Sequence, residues 1–176
     1  MLKRKIDKYL EEWKASADKK PLIVKGARQV GKTASIRYFG EKYYKYIVEI
    51  NFALQPKYKQ IFADGYEVDS IIKNITLLNP SLVVVPHETL LFFDELQEYP
   101  DCATSLKSFK QDGRYDVICS GSLMGLYYQQ IESNSVGYKT DYEMYSLDFE
   151  EFLWAKGYDE HFIDELYQHM IELKPL

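Results

Sequence analysis

The sequence predicts an α/β domain, and three observations carry that class. A short apolar run, Leu22-Ile23-Val24, passes through a glycine loop into the helix-spaced residues Ala34, Ile36, Tyr38 and Phe39. Four further strand-like runs follow, at 46–52, 89–93, 115–119 and 142–147. Between them lie segments with helical punctuation: Pro56, Pro100 and Asp148 at starts, Gly113 at a stop. A chain of 176 residues suits one such domain, or one and the start of another. At this size roughly 70% of the unfolded surface can be buried without a disulfide or metal staple.

From the N-terminus, Leu2, Ile6, Tyr9, Leu10 and Trp13 mark one face of an amphipathic helix. Lys3, Arg4, Lys5 and Lys8 fall around its other side and read as a solvated face rather than a nucleic-acid contact. Residues 16–20 make a polar turn into the first strand, and the glycine loop and its helix follow. Tyr46–Phe52 is the second strand. Its Asn51 stands near the carboxyl end, where α/β folds place ligands, or else caps the next loop. Pro56 opens a short helix to Phe62, and residues 68–78 form another, broken by Asn79-Pro80 and Pro86. Thr89–Phe93 is a nearly all-apolar third strand ending in Asp94-Glu95. A helix from Pro100 through Lys110 stops at Gly113. The fourth strand, Tyr115–Cys119, runs into Ser120-Gly121-Ser122. Leu123–Ile131 reads as a short helix, 132–141 as a polar loop and Tyr142–Leu147 as a fifth strand. Asp148 and Glu151 have the spacing of a capping box for a helix through Ala155. Phe162, Leu166, Met170 and Leu173 line one face of a last helix from about Asp159.

Composition narrows the function classes. The net charge of −5 offers no global attraction to nucleic acid. Cys102 and Cys119 lack metal-site spacing, and His87, His161 and His169 lack the i, i+4 pairing of a helical metal site. No apolar run is long enough to span a bilayer and none resembles a signal peptide, so the expected location is the cytoplasm. The sixteen tyrosines accompany an excess of lysine over arginine, and biased genome composition accounts for both better than base stacking does.

Two motifs carry chemistry. Gly26 to Thr33 reads Gly-Ala-Arg-Gln-Val-Gly-Lys-Thr, a full match to the phosphate-binding pattern G-x-x-x-x-G-K-[ST] in its required strand–loop–helix context. The glycines let the backbone curl its N–H groups inward as an anion nest, and the following helix adds its N-terminal dipole. The expected nucleotide contacts are Gly26, Ala27, Arg28, Gln29, Val30, Gly31, Lys32, Thr33 and Ala34. Lys32 reaches the β- and γ-phosphates, and the Thr33 hydroxyl binds Mg²⁺. The second motif is Leu90 to Glu95. Asp94, at the end of a buried strand, is suited to hold Mg²⁺, and Glu95 to accept a proton from an attacking water. That glutamate separates a water-using ATPase from a phosphate-loop kinase. Ser120 stands where a hydroxyl senses the γ-phosphate; Ser122 is the alternative, and turn formation explains either without chemistry.

With these residues the chain resembles the bacterial and archaeal AAA-type ATPases. They share the Gly-Ala-Arg-Gln-Val-Gly-Lys-Thr loop and an apolar strand ending Asp-Glu-x-Gln, here Asp94, Glu95 and Gln97. They share also Gly-Ser after a short strand, here Gly121-Ser122, and Phe-Glu-Glu-Phe-Leu, here Phe149 to Leu153. The resemblance runs to about Gly157. It implies a P-loop NTPase fold of three layers, α/β/α, around a mostly parallel five-stranded sheet ordered 5-1-4-3-2. It implies also ATP and Mg²⁺ at the carboxyl edge, residues 1–157 as the ATP-binding core, and 158–176 as the start of a helical lid cut short within a longer protein. One departure concerns the arginine that a neighbouring subunit commonly donates in such ATPases. Arg4, Arg28, Arg37 and Arg114 are the only arginines, and the Val136-Gly137 segment continues with Tyr138 and Lys139. The resulting expectation is Mg-dependent ATP hydrolysis, slow in isolation, with ATP and ADP as ligands and self-association open. The alternatives are a nucleotide-gated binding module and the ATPase portion of a DNA-associated protein.

Overall fold

The computed structural model describes residues 2–122 and 126–172. Helix α1 (Lys5–Ala15) precedes β1 (Leu22–Lys25), α2 (Lys32–Tyr43) and β2 (Tyr46–Asn51). A 3₁₀ segment, Pro56–Phe62, leads to α3 (Val68–Leu78) and β3 (Thr89–Asp94). Two more 3₁₀ segments, Leu96–Glu98 and Pro100–Thr104, precede α4 (Ser105–Asp112) and β4 (Asp116–Gly121). Helix α5 (Leu126–Ser135), strand β5 (Thr140–Glu143), α6 (Phe149–Ala155) and α7 (Glu160–Glu172) complete the order. The sheet runs β2-β3-β4-β1-β5, which from the other edge is the expected 5-1-4-3-2, and its paired strands are parallel.

Side-chain alternation along the inner strands sets the two helical layers. Leu22 and Val24 of β1, Leu90 and Phe92 of β3 and Ile118 of β4 face the layer of α1 and α2, where Ile6, Leu10, Trp13, Ile36 and Phe39 meet them. Ile23, Leu91, Phe93, Val117 and Cys119 point the other way, onto α3, α4 and the 3₁₀ segments. Strand β3 is buried along its whole length, which is why it reads as a continuous apolar run rather than an alternating one. Register then lines up the carboxyl ends: Asn51 lies opposite Asp94, and Lys25 opposite Gly121.

Several boundaries differ from the sequence reading for local reasons. Pro56–Phe62 is 3₁₀, and the segment from Pro100 is 3₁₀ to Thr104 before it turns α-helical, because short proline-led turns suit the tighter helix. Strand β5 covers Thr140–Glu143 rather than 142–147, ending where Met144 N–H bonds the Lys25 carbonyl at 2.7 Å and Gly26 turns away. Helix α5 extends past Ile131 to Ser135, whose hydroxyl donates to the Ile131 carbonyl at 2.6 Å; the expected start at Leu123 lies outside the described residues. Gly113 closes α4 in the left-handed region, and Asp148 and Glu151 form their capping box on α6. In α7, Ile163 is buried, Phe162 and Leu166 are half-buried, and Met170 is exposed; Leu173 and the tail 174–176 lie outside the described residues. No described helix is long and apolar enough to cross a membrane.

Phe93 is fully buried, with ring centroids 5.9 Å from Phe52, 6.4 Å from Phe62 and 6.3 Å from Phe109. Truncation leaves a cavity that rings cannot collapse into, so Phe93→Ala is expected to cost about 3–5 kcal/mol, measured by urea unfolding. A loss below about 1 kcal/mol would show that this core is looser than its packing indicates.

Candidate functional site

The glycine loop is pinned by a backbone contact. Gly26 has φ 153°, and a Cβ there would lie 2.1 Å from the Met144 carbonyl oxygen, so no side chain fits. Gly31, at φ 100°, is the N-cap of α2, whose first turn carries no acidic residue and no side-chain cap. The early N–H groups of α2 are therefore left for another acceptor. Lys32 lies back across the loop, its Nζ donating to the Gly26 carbonyl at 2.9 Å and the Ala27 carbonyl at 2.6 Å. Burial lowers the Lys32 pKa from its ordinary value, while the Glu95 and Asp94 carboxylates oppose that shift.

At the adjoining strand ends, four donors converge on one buried carboxylate. Asp94 Oδ2 accepts from the Thr33 hydroxyl at 3.2 Å and the Asn51 amide at 3.1 Å. Asp94 Oδ1 accepts from Glu95 N–H at 3.0 Å and from the Ser120 hydroxyl. Ser120 is fully buried within β4, so its hydroxyl meets the cleft only through Asp94, whereas Ser122 lines the cleft directly. Asn51 works twice: its Oδ1 also accepts from the Ala53 and Leu54 amides at 3.0 and 2.9 Å, capping the loop after β2. The loop-capping reading of this residue from sequence holds.

Glu95 adopts φ 57° and ψ 49°, left-handed values that cost a non-glycine residue of order 1 kcal/mol or more. Its carboxylate accepts a hydrogen bond from Gln97 Nε2, and Gln97 Oε1 accepts one from Ser122 N–H at 3.1 Å. Because a backbone N–H only donates, the Gln97 amide has one allowed orientation, with its NH₂ toward Glu95.

These groups surround a cleft of about 550 Å³ that holds Arg28, Gln29, Lys32, Thr33, Glu95 and Ser122 on its walls. The structure thus brings together Lys32, Thr33, Asp94, Glu95 and Ser120. Ala27, Arg28, Gln29 and Ala34 are exposed on the loop, and Val30 packs into the core below it. The donor set fits Mg²⁺. Thr33 and Asp94 offer hard oxygens, the ligand type that Mg²⁺ takes.

Sequence reasoning missed Arg4. Its place among lysines predicts a solvated helix face, yet it is about 9% exposed and lies just ahead of α1. Its Nη1 donates to the Val30 carbonyl at 2.9 Å and its Nη2 to the Tyr145 carbonyl at 2.8 Å, while Nε stands 3.0 Å from Glu151 as an ion pair. The partners are 26 to 147 residues away, so no local pattern announces them. The lysines around Arg4 do face solvent, and each is ion-paired: Lys3 with Glu160, Lys5 with Asp148 and Glu150, Lys8 with Glu12.

The family model described as AAA domain matches residues 18–153. Among solved structures, C. elegans PCH-2 is similar with a TM-score of 0.44 and 12% identity, over 78% of this chain and 42% of that one. The chain therefore spans less than half the length of that protein. No curated protein sequence matches. The family match covers well over half of the chain, from the turn before β1 into α6. The chain belongs to the AAA domain family, whose members are nucleotide-binding domains of the ATPase type.

Proposed function

We propose that this chain binds ATP with Mg²⁺ and hydrolyses it at the cleft between the glycine loop and the ends of β3 and β4. The convergence of Thr33, Asn51 and Ser120 on the Asp94 carboxylate carries this reading, because it sets a metal-binding oxygen pair beside an anion nest. Thr33 and Asp94 would hold Mg²⁺, which would offset the negative charge of the phosphates. The loop amides from Ala27 to Ala34 receive the phosphates. Lys32 moves its Nζ from the Gly26 and Ala27 carbonyls onto the β- and γ-phosphate oxygens, an exchange helped by its partial desolvation. Glu95 takes the proton of the attacking water, and Gln97 sets where its carboxylate points. Ser120 acts through Asp94, and Ser122, on the cleft wall, would meet the γ-phosphate. Residues 1–157 form the nucleotide-binding core in this reading, and 158–176 begin a lid.

The second reading, a nucleotide-gated binding module with little turnover, is favoured by one observation. The Gln97 amide donates to Glu95 Oε2, and a hydrogen bond to the ionised carboxylate makes it a weaker base toward water. Turnover decides between the two readings.

Two outcomes test the site. Lys32→Ala is expected to abolish most ATP and ADP binding, measured by calorimetry with and without Mg²⁺. Glu95→Gln is expected to keep binding and depress hydrolysis, since the amide is nearly isosteric but takes no proton. Equal turnover in wild type and the glutamine variant would remove Glu95 from the water-activating role.

A third outcome concerns the arginines. Arg4 is committed to Glu151, Arg37 makes two 2.6 Å bonds to Glu49, Arg114 pairs with Asp112 and Asp69, and Arg28 lies on the phosphate loop of its own cleft. An arginine supplied to the transferring phosphoryl group is worth about 10³–10⁵ in rate. Hydrolysis by this chain is therefore expected to be slow, well below ~1–100 s⁻¹. Brisk turnover rising steeply with protein concentration would instead show that copies complete one another's sites.

A further inference from the structure

We infer that Arg4 is a positioning residue for the phosphate loop, holding it in its anion-cradling shape from behind. The residue lies outside the 18–153 stretch matched by the AAA domain model. It sits beneath the loop, with Nη1 3.2 Å from where a Cβ on Gly31 would be. A single guanidinium meets three elements at once. It bonds the Val30 carbonyl in the loop and the Tyr145 carbonyl after β5, and it pairs with Glu151 in α6.

Each of these contacts needs the others. Glu151 is about 5% exposed, and its Oε1 also accepts from Lys5 N–H at 2.8 Å while Oε2 accepts from Asp148 N–H at 3.1 Å. A buried carboxylate without a cation is strongly unfavourable, so Glu151 fixes the guanidinium in place. The fixed guanidinium in turn has a donor to spare for Val30, the residue before the Gly31 turn. The Val30 carbonyl accepts that bond from the buried side of the loop. The planar fork is what makes three simultaneous contacts possible; a lysine ammonium at the end of one flexible stem reaches Glu151 or Val30, not both. The loop is thus held by Lys32 from the cleft side, at Gly26 and Ala27, and by Arg4 from the core side, at Val30.

The consequence for ligand affinity rests on the nucleotide reading above; the consequence for the loop does not. Arg4→Lys keeps the charge opposite Glu151 and is the decisive variant. Hydrogen exchange of amides 27–33 is measured in the unliganded chain, together with ATP and ADP affinity well below each variant's melting temperature. The expected result is a folded protein whose loop amides exchange about ten-fold faster and whose nucleotide affinity falls about ten-fold, while exchange in β3 and β4 is unchanged. Lys5→Ala serves as the control, since it breaks the neighbouring ion pairs to Asp148 and Glu150 without touching the loop; it is expected to alter neither readout. A folded Arg4→Lys chain with wild-type loop exchange overturns the proposal. Should Arg4→Lys fail to fold, Glu151→Gln decides it: faster loop exchange supports Arg4, and unchanged exchange overturns it. If the wild-type chain does not bind ATP, the nucleotide reading fails while the exchange comparison still judges Arg4.

Discussion

The carboxylate of Asp94 is the interaction on which the carboxyl edge of the sheet depends. It is about 4% exposed, and burying a charged group there is tolerable only if its lone pairs are met. The donors come from α2 (Thr33), β2 (Asn51), β4 (Ser120) and the start of the next loop (Glu95). One side chain thereby ties three neighbouring elements to β3 at the point where a phosphate group would arrive. The parallel register makes this possible, since it places Asn51 beside Asp94 and carries β4 to its end one strand over.

The glycine loop depends on a different constraint, the close approach of two backbones. Between β1 and β5 the ladder ends with Met144 bonded to the Lys25 carbonyl, and the chain then turns at Gly26 against the Met144 carbonyl. That contact leaves no room for a Cβ and explains a shorter fifth strand than the hydrophobic pattern indicated. Arg4 takes over where the ladder stops, satisfying the Tyr145 carbonyl that no strand partner meets. The α1 start, the loop, the end of β5 and α6 are in this way parts of one buried polar cluster.

Glu95 is held differently from Asp94. It sits on a left-handed backbone just past β3, and among the described residues a neutral amide, that of Gln97, hydrogen-bonds its carboxylate. A rigid, fully satisfied Asp94 next to a strained, singly bonded Glu95 suits a division of labour in which one carboxylate stays in place and the other moves. The Gln97 amide links Glu95 to the loop after β4 through Ser122 N–H.

Much of this was legible in the sequence, because the signals are local. Strand alternation has a period of two, helix faces follow the 3.6-residue turn, and the phosphate loop is a contiguous run whose chemistry resides in its own backbone. Gly26 to Thr33, Asp94-Glu95, Gly113 and the Asp148–Glu151 box could therefore be read without coordinates, as could the α/β class. Strand order came only through family resemblance, since which runs pair is a long-range matter. What the tertiary structure alone decided are groups whose role depends on distant partners. Arg4 sits among lysines and looks like one more solvated cation; only the arrival of Val30, Tyr145 and Glu151 around it makes it a buried clamp. Ser120 looks like a cleft residue until β4 is seen to run through it and bury it. A short motif specifies its own backbone, but the burial of a charge is set by everything packed around it, and that information is spread over the whole chain.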